Sequence, residues 1–158
     1  MLDNTDLINT ITSFLNEIGI PTKYESIQES TFLPGIKIDK GILFIDQDLL
    51  KYPGDLLHEA GHIAVMTPKE RDSISGNIEE HKPEGQSDEM AAILWSYAAL
   101  KHLNIAPEIV FHTEGYKNDS KWLIENLEQG QYVGLPLLAW MGLTDSDNFP
   151  KMNYWLRQ

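Results

Sequence analysis

"LLHEAGHIAV", residues 56–65, places two histidines four residues apart with a glutamate directly after the first. Positions i and i+4 of a helix lie one turn apart on one face, so His58 and His62 can aim two imidazole nitrogens at one point. Glu59 sits about 100° round the helix from His58. That is too far round for a third ligand, and near enough to reach a water beside a metal. Ala60 and Gly61 are small. A glycine in a helix interior costs roughly 1 kcal/mol relative to alanine, so its presence here predicts a close neighbour. At this chain's own His and Glu frequencies, His-Glu-x-x-His arises by chance in roughly 1% of such sequences.

A catalytic zinc takes three protein ligands and keeps a fourth position open for water. The chain has no cysteine, so disulfides and thiolate ligation are excluded. Downstream, the carboxylates on offer are Glu84, Asp88 and Glu89. Glu89 is the preferred ligand. It lies in the first turn of a helix predicted over residues 87–102, "SDEMAAILWSYAALKH", which leaves room for a loop that returns the chain antiparallel. Ala92, Ile93 and Ser96 would share its face, small or apolar as helix packing requires. Glu84, in "EGQSD", is the rival ligand. Asp88 is a candidate acceptor for the second ring nitrogen of a ligand histidine.

Around this motif the chain reads as α+β: mostly helical, with a small antiparallel sheet beside the HExxH helix, in one domain spanning 1–158. Residues 5–18 carry one apolar stripe of a helix that ends before Gly19 and Pro21. "GIKIDKGILFID", residues 35–46, is a hairpin signal with its turn at "DKG". Asp55 is expected to cap the motif helix, which stops at Thr67-Pro68. Residues 67–86, "TPKERDSISGNIEEHKPEGQ", read as a long surface loop. Pro107 opens a short element. Residues 120–129 form a helix with Ser120 as cap and Gly130 as stop, and 135–141 add a turn or two. The aromatics of the tail, "FPKMNYWLRQ", are expected to pack back on the body.

A formal charge of -12 argues against nucleic-acid partners, because phosphates would be repelled. The N-terminus, "MLDNTDLINTITSFLNEIGI", lacks the basic start and apolar run of a signal peptide. No window reaches the roughly 18 apolar residues of a membrane span. A cytoplasmic protein without a membrane partner is expected; oligomeric state is not indicated.

At these residues the chain resembles the zincin metallopeptidases, and most of all the ImmA/IrrE-type family. The likeness covers roughly residues 30–102. Its specific part is HEAGH; the rest is the order and spacing of "PGIKIDKGILFID", "DLLHEAGHIAV" and "SDEMAAILWSYAA". The resemblance implies a zincin-like fold, zinc held by His58, His62 and Glu89, Glu59 as general base, and hydrolysis of a peptide bond in a protein or peptide. There are departures. The second helix reads "EMAAILWSYAA" where the family usually reads Glu-Ala-Asn. Zincins with a glutamate ligand often carry an acid four residues further on that supports a histidine, and that position here is Ile93. With Glu84 as ligand, Asp88 would take the supporting place. The other reading is a catalytically inactive zincin scaffold that binds a protein partner, suggested by the acidic surface and the 67–86 stretch.

For an active site, an oxyanion donor is expected. Tyr116 and His112, in "FHTEGY", and Tyr97 are the candidates. The strand "ILFID", residues 42–46, is expected to pair with an extended substrate. His81 and His102 carry no assigned role, and Trp95, Trp122, Trp140 and Trp155 read as core or interface aromatics. Residues 105–158 match nothing in the family pattern.

Overall fold

The computed structural model describes residues 3–74 and 86–158. The fold is α+β, about half helical, with one small mixed sheet of three strands. α1 (Asn4–Ile18) buries Leu7, Ile8, Ile11, Phe14 and Leu15, which is the predicted stripe. The Asp3 side chain accepts from the Asp6 N–H and caps its start.

β1 (Thr22–Tyr24), β2 (Ile36–Asp39) and β3 (Ile42–Ile45) follow. β2 and β3 form the predicted antiparallel hairpin. Lys40 (φ 52°) and Gly41 (φ 78°) make its turn. Two consecutive left-handed residues suit the twist of a two-residue hairpin, and glycine takes the second at no steric cost. The sheet is not purely antiparallel, because β1 pairs parallel to β3. Three residues are too few for a periodic signal, and parallel pairing depends on a distant partner. The strand order is β1-β3-β2, so β3 is central and both its edges are occupied. Strand addition along residues 42–46 is therefore ruled out. Inward-facing Ile36, Ile38, Leu43 and Ile45 join the core.

α2 (Asp55–Val65) carries the motif and buries Leu56, Leu57, Ile63 and Val65. Each such side chain contributes about 1.5–3 kcal/mol. Gly54, not Asp55, holds the N-cap position, and the Asp55 carboxylate is engaged elsewhere. At the other end, the last carbonyls of a helix lack intrahelical donors. Here the Arg157 N–H donates to Ala64 O at 2.9 Å and its guanidinium to Val65 O at 3.3 Å. Arg71 donates to Met66 O at 2.7 Å and to Arg157 O at 2.8 Å.

The 67–86 stretch is not all loop. α3 (Pro68–Ser73) opens with a capping box in which Thr67 and Glu70 satisfy each other's backbone N–H groups. The signal was in "TPKE": Thr at the cap, Pro at the first helical position, Glu at the third. Its polar composition hid it. His81, also in that stretch, lies outside the described residues.

α4 (Gln86–Leu103) is the predicted second helix. Ala91, Ala92, Leu94, Trp95, Ser96, Ala98, Ala99 and Leu100 are all buried, so it is enclosed on nearly every side. α2 and α4 make the most extensive helix pairing in the fold. Then come α5 (Pro107–Val110), α6 (Thr113–Tyr116), a 3-10 turn over 117–119, α7 (Ser120–Glu128) and α8 (Leu135–Trp140). Ser120 is not the cap of α7. It is the first helical residue after Asp119, and its hydroxyl donates to Phe111 O. The tail does pack back: Trp95 Nε1 donates to Trp155 O at 2.9 Å, and the Trp155 ring meets Phe14 edge-on at 5.0 Å. The His102 ring contacts both, at 5.5 Å from Phe14 and 5.4 Å from Trp155. Trp122 and Trp140 remain exposed. Among the described residues, no helix is long and apolar enough to cross a membrane.

Candidate metal centre

The α2–α4 packing begins with an absent side chain. A Cβ on Gly61 would stand 2.8 Å from the Ala92 carbonyl oxygen and 3.1 Å from Ser96 Oγ. The glycine thus lets the two backbones close. The Ser96 hydroxyl lies between them, its single proton shared between Ala92 O on its own helix at 2.7 Å and Leu57 O on α2 at 3.2 Å. This is the close neighbour that the mid-helix glycine predicted. It brings the first turn of α4 over the face of α2 that carries the histidines.

Glu89 lies on that turn. Its carboxylate stands 2.8 Å from His62 Nε2 and 3.6 Å from His58 Nε2. One ligand atom from each of the three residues falls within 4.8 Å of the others. Among the described residues this is the group of His, Asp and Glu side chains close enough to share an ion. A tetrahedral zinc about 2.1 Å from its donors separates them by about 3.4 Å. The His58 Nε2–Glu89 Oε1 separation of 3.6 Å is close to that value, and His62 Nε2 lies nearer, at 2.8 Å from the other oxygen, Oε2. Two imidazoles and one carboxylate are also the borderline donor set that zinc accepts. The His58 and His62 rings meet edge to face at 4.9 Å, so neither blocks the other.

The protonation states suit ligation. Burial, reinforced by His62, brings His58 down to about 4, so it is neutral near pH 7. Burial alone would raise the Glu89 carboxyl. The His62 hydrogen bond and the neighbouring histidines outweigh it and hold the group below its ordinary range. Neutral imidazole and ionised carboxylate are the forms that bind a cation. Glu59 follows His58 on α2 and is half-buried.

The remaining candidates are distributed as follows. The Tyr116 hydroxyl sits 2.8 Å from His58 Nδ1, the ring nitrogen opposite the one facing Glu89. Burial, then the charges of Glu89, Asp55 and Glu59, push its phenol well above the ordinary range, so it stays neutral. His112 engages with both ring nitrogens: Nε2 lies 2.6 Å from Asp55 Oδ1, and Nδ1 accepts from the Gly115 N–H at 3.1 Å. An acceptor at Nδ1 makes Nε2 the protonated nitrogen, donating to Asp55. Tyr97 points elsewhere and donates to Glu128 Oε2 at 2.9 Å. Ile93 packs on the core and offers no acceptor. Glu84 lies outside the described residues, as does the side chain of Asp88.

By sequence Asp55 has only the place of a helix cap, and the structure pairs it with His112. Its alignment was readable, because Asp55, His58 and His62 stand at i, i+3 and i+7 of α2 and so share a face. Its partner His112, 57 positions away, was not. No protein-family model, curated protein or solved structure matches the chain.

Proposed function

We propose that this protein is a zinc-dependent metallopeptidase of zincin-like fold that hydrolyses peptide bonds in a protein or peptide substrate. The observation that carries this reading is the convergence of one ligand atom from each of His58, His62 and Glu89 within 4.8 Å of one another, with Glu59 next to the first ligand. His58, His62 and Glu89 hold the ion. A bound zinc supplies a Lewis acid that polarises a carbonyl and lowers the pKa of water toward about 7. Glu59 takes the proton of the attacking water and passes it to the leaving amine. Burial of the His58 imidazole keeps it neutral near pH 7 and available for ligation.

The test combines metal content with proteolysis. Purified protein is expected to carry about one zinc per chain, to melt at lower temperature after chelation, and to cleave an unfolded protein substrate. Glu59→Gln is expected to retain the zinc and lose the cleavage. Protein that takes up no zinc, and whose melting temperature zinc leaves unchanged, contradicts the proposal. Cleavage undiminished in Glu59→Gln contradicts the mechanism. Zinc binding without cleavage, with function surviving in Glu59→Gln, would instead support a non-catalytic scaffold.

A further inference from the structure

We propose that Tyr116 is the positioning residue of the metal centre: its hydroxyl fixes the His58 ring with Nδ1 turned away from Glu89 and Nε2 turned toward it. This rests on the zinc reading above and adds to it a residue from outside the two motif helices.

A histidine can ligate through either ring nitrogen, and only the nitrogen facing Glu89 completes the cluster. The other nitrogen, in a buried ring, needs a partner, because an unpaired buried polar atom costs about 1–3 kcal/mol. Ligand histidines meet this need with a carboxylate, a carbonyl or a water. Here a phenol oxygen stands at 2.8 Å from Nδ1. With Nε2 committed to a cation, Nδ1 carries the proton and donates to Tyr116. Rotating the ring would break this bond, so the tautomer and the orientation are set together.

Tyr116 is itself held from several directions. Its N–H bonds to His112 O at 3.0 Å, and its ring meets Phe111 edge-on at 5.4 Å. His112 in turn is fastened to Asp55 and stacked on Tyr52 at 4.1 Å. Just before α2, Gly54 lacks the Cβ that would run into the Ile109 carbonyl, so α5 can press against the helix start. Two positions on the ligand face of α2, Asp55 and His58, are therefore each gripped by a residue of the 107–116 segment. A phenol so anchored can orient a ligand where a free surface tyrosine could not.

The experiment measures zinc affinity by competition with a chromophoric chelator, for wild type and Tyr116→Phe. It is paired with the visible absorption of the cobalt(II) forms and the melting temperatures of the metal-free proteins. Tyr116→Phe keeps the ring and removes only the oxygen. Zinc affinity is expected to fall about tenfold or more, the cobalt spectrum to change, and the metal-free melting temperature to fall only by the few degrees that one unpaired buried nitrogen costs. Asp55→Asn, which loosens the grip on His112, is expected to weaken zinc binding in the same direction by less. Long-range 1H–15N correlation on zinc-loaded wild type is expected to show His58 protonated at Nδ1 and ligated at Nε2; it decides the matter even where the variant does not fold. Equal affinity and an unchanged cobalt spectrum in Tyr116→Phe, or ligation through Nδ1, overturn the inference while leaving the zinc reading intact. Wild type that binds no zinc overturns both.

Discussion

The α2–α4 pair and the 107–116 segment meet at one imidazole, and they reach it by different routes. The helix pair supplies the three side chains proposed as ligands. Its chemistry is written in short local patterns: two histidines a turn apart, a small residue where backbones close, and a glutamate in the first turn of the next helix. The segment supplies orientation. Its contacts, Asp55 with His112 and His58 with Tyr116, join residues 57 and 58 positions apart. The tail does the same at the far end, where Arg157 satisfies the Ala64 and Val65 carbonyls of α2, while Arg71 of α3 takes that of Met66. The stretch from 105 onward, which resembles no family pattern, thus fastens the motif helix at both ends. A metal site's donors can be local in sequence while the geometry that makes them a site is not.

Glu59→Gln probes the helix pair alone. It should lower kcat/KM by about a hundredfold or more, the usual worth of a general base, with zinc stoichiometry and melting temperature little changed. Assay of the zinc-loaded variant against wild type checks this. Loss of zinc in the variant would mean that Glu59 belongs with the ligands.

Acid separates the two regions by sign. In the fold His58 titrates near 4, whereas the unfolded chain takes up that proton near 6.5. Between these values the unfolded state binds the proton that the fold refuses. The metal-free protein should therefore lose stability as pH falls from about 6.5 to about 4, by up to about 3 kcal/mol. Glu89, held below its ordinary range, extends the loss further into acid. Asp55, raised by burial despite the opposing pull of His112, works against it. Denaturant melts across pH 4–7.5 measure the sum. A flat profile would mean that His58 is not buried neutral.

Gly61→Val tests the close approach of α2 and α4. Its branched side chain would meet the Ala92 carbonyl, and a cost of about 2–3 kcal/mol is expected from overpacking. Urea unfolding at fixed pH reads it. The smallest effect is expected from Asp55→Asn, about 1–2 kcal/mol for a weakened buried hydrogen bond. If Asp55→Asn cost more than Gly61→Val, the segment rather than the helix pair would carry the stability of the site.

What sequence reading recovered follows the same division. The α1 stripe, the hairpin turn at "DKG", the motif helix and its glutamate-bearing partner are signals of period or spacing within a dozen residues or so. α3 was readable from Thr67 and Glu70 but was masked by polar neighbours. β1 was not readable, since three residues carry no period and their parallel pairing with β3 is tertiary. The central position of β3, which removes it as a docking edge, follows from that unread strand. Tyr116 was singled out for its chemistry, but its neighbour could not be. Four residues past Glu89, where zincins often carry a supporting acid, stands Ile93, and the structure places a hydroxyl on His58 from another segment.

The most direct measurement is anomalous scattering at the zinc edge on crystals of the wild-type protein. A single peak is expected, about 2.0–2.2 Å from His58 Nε2, His62 Nε2 and a Glu89 carboxylate oxygen. Its absence, or a peak completed by Glu84 in place of Glu89, would contradict the account.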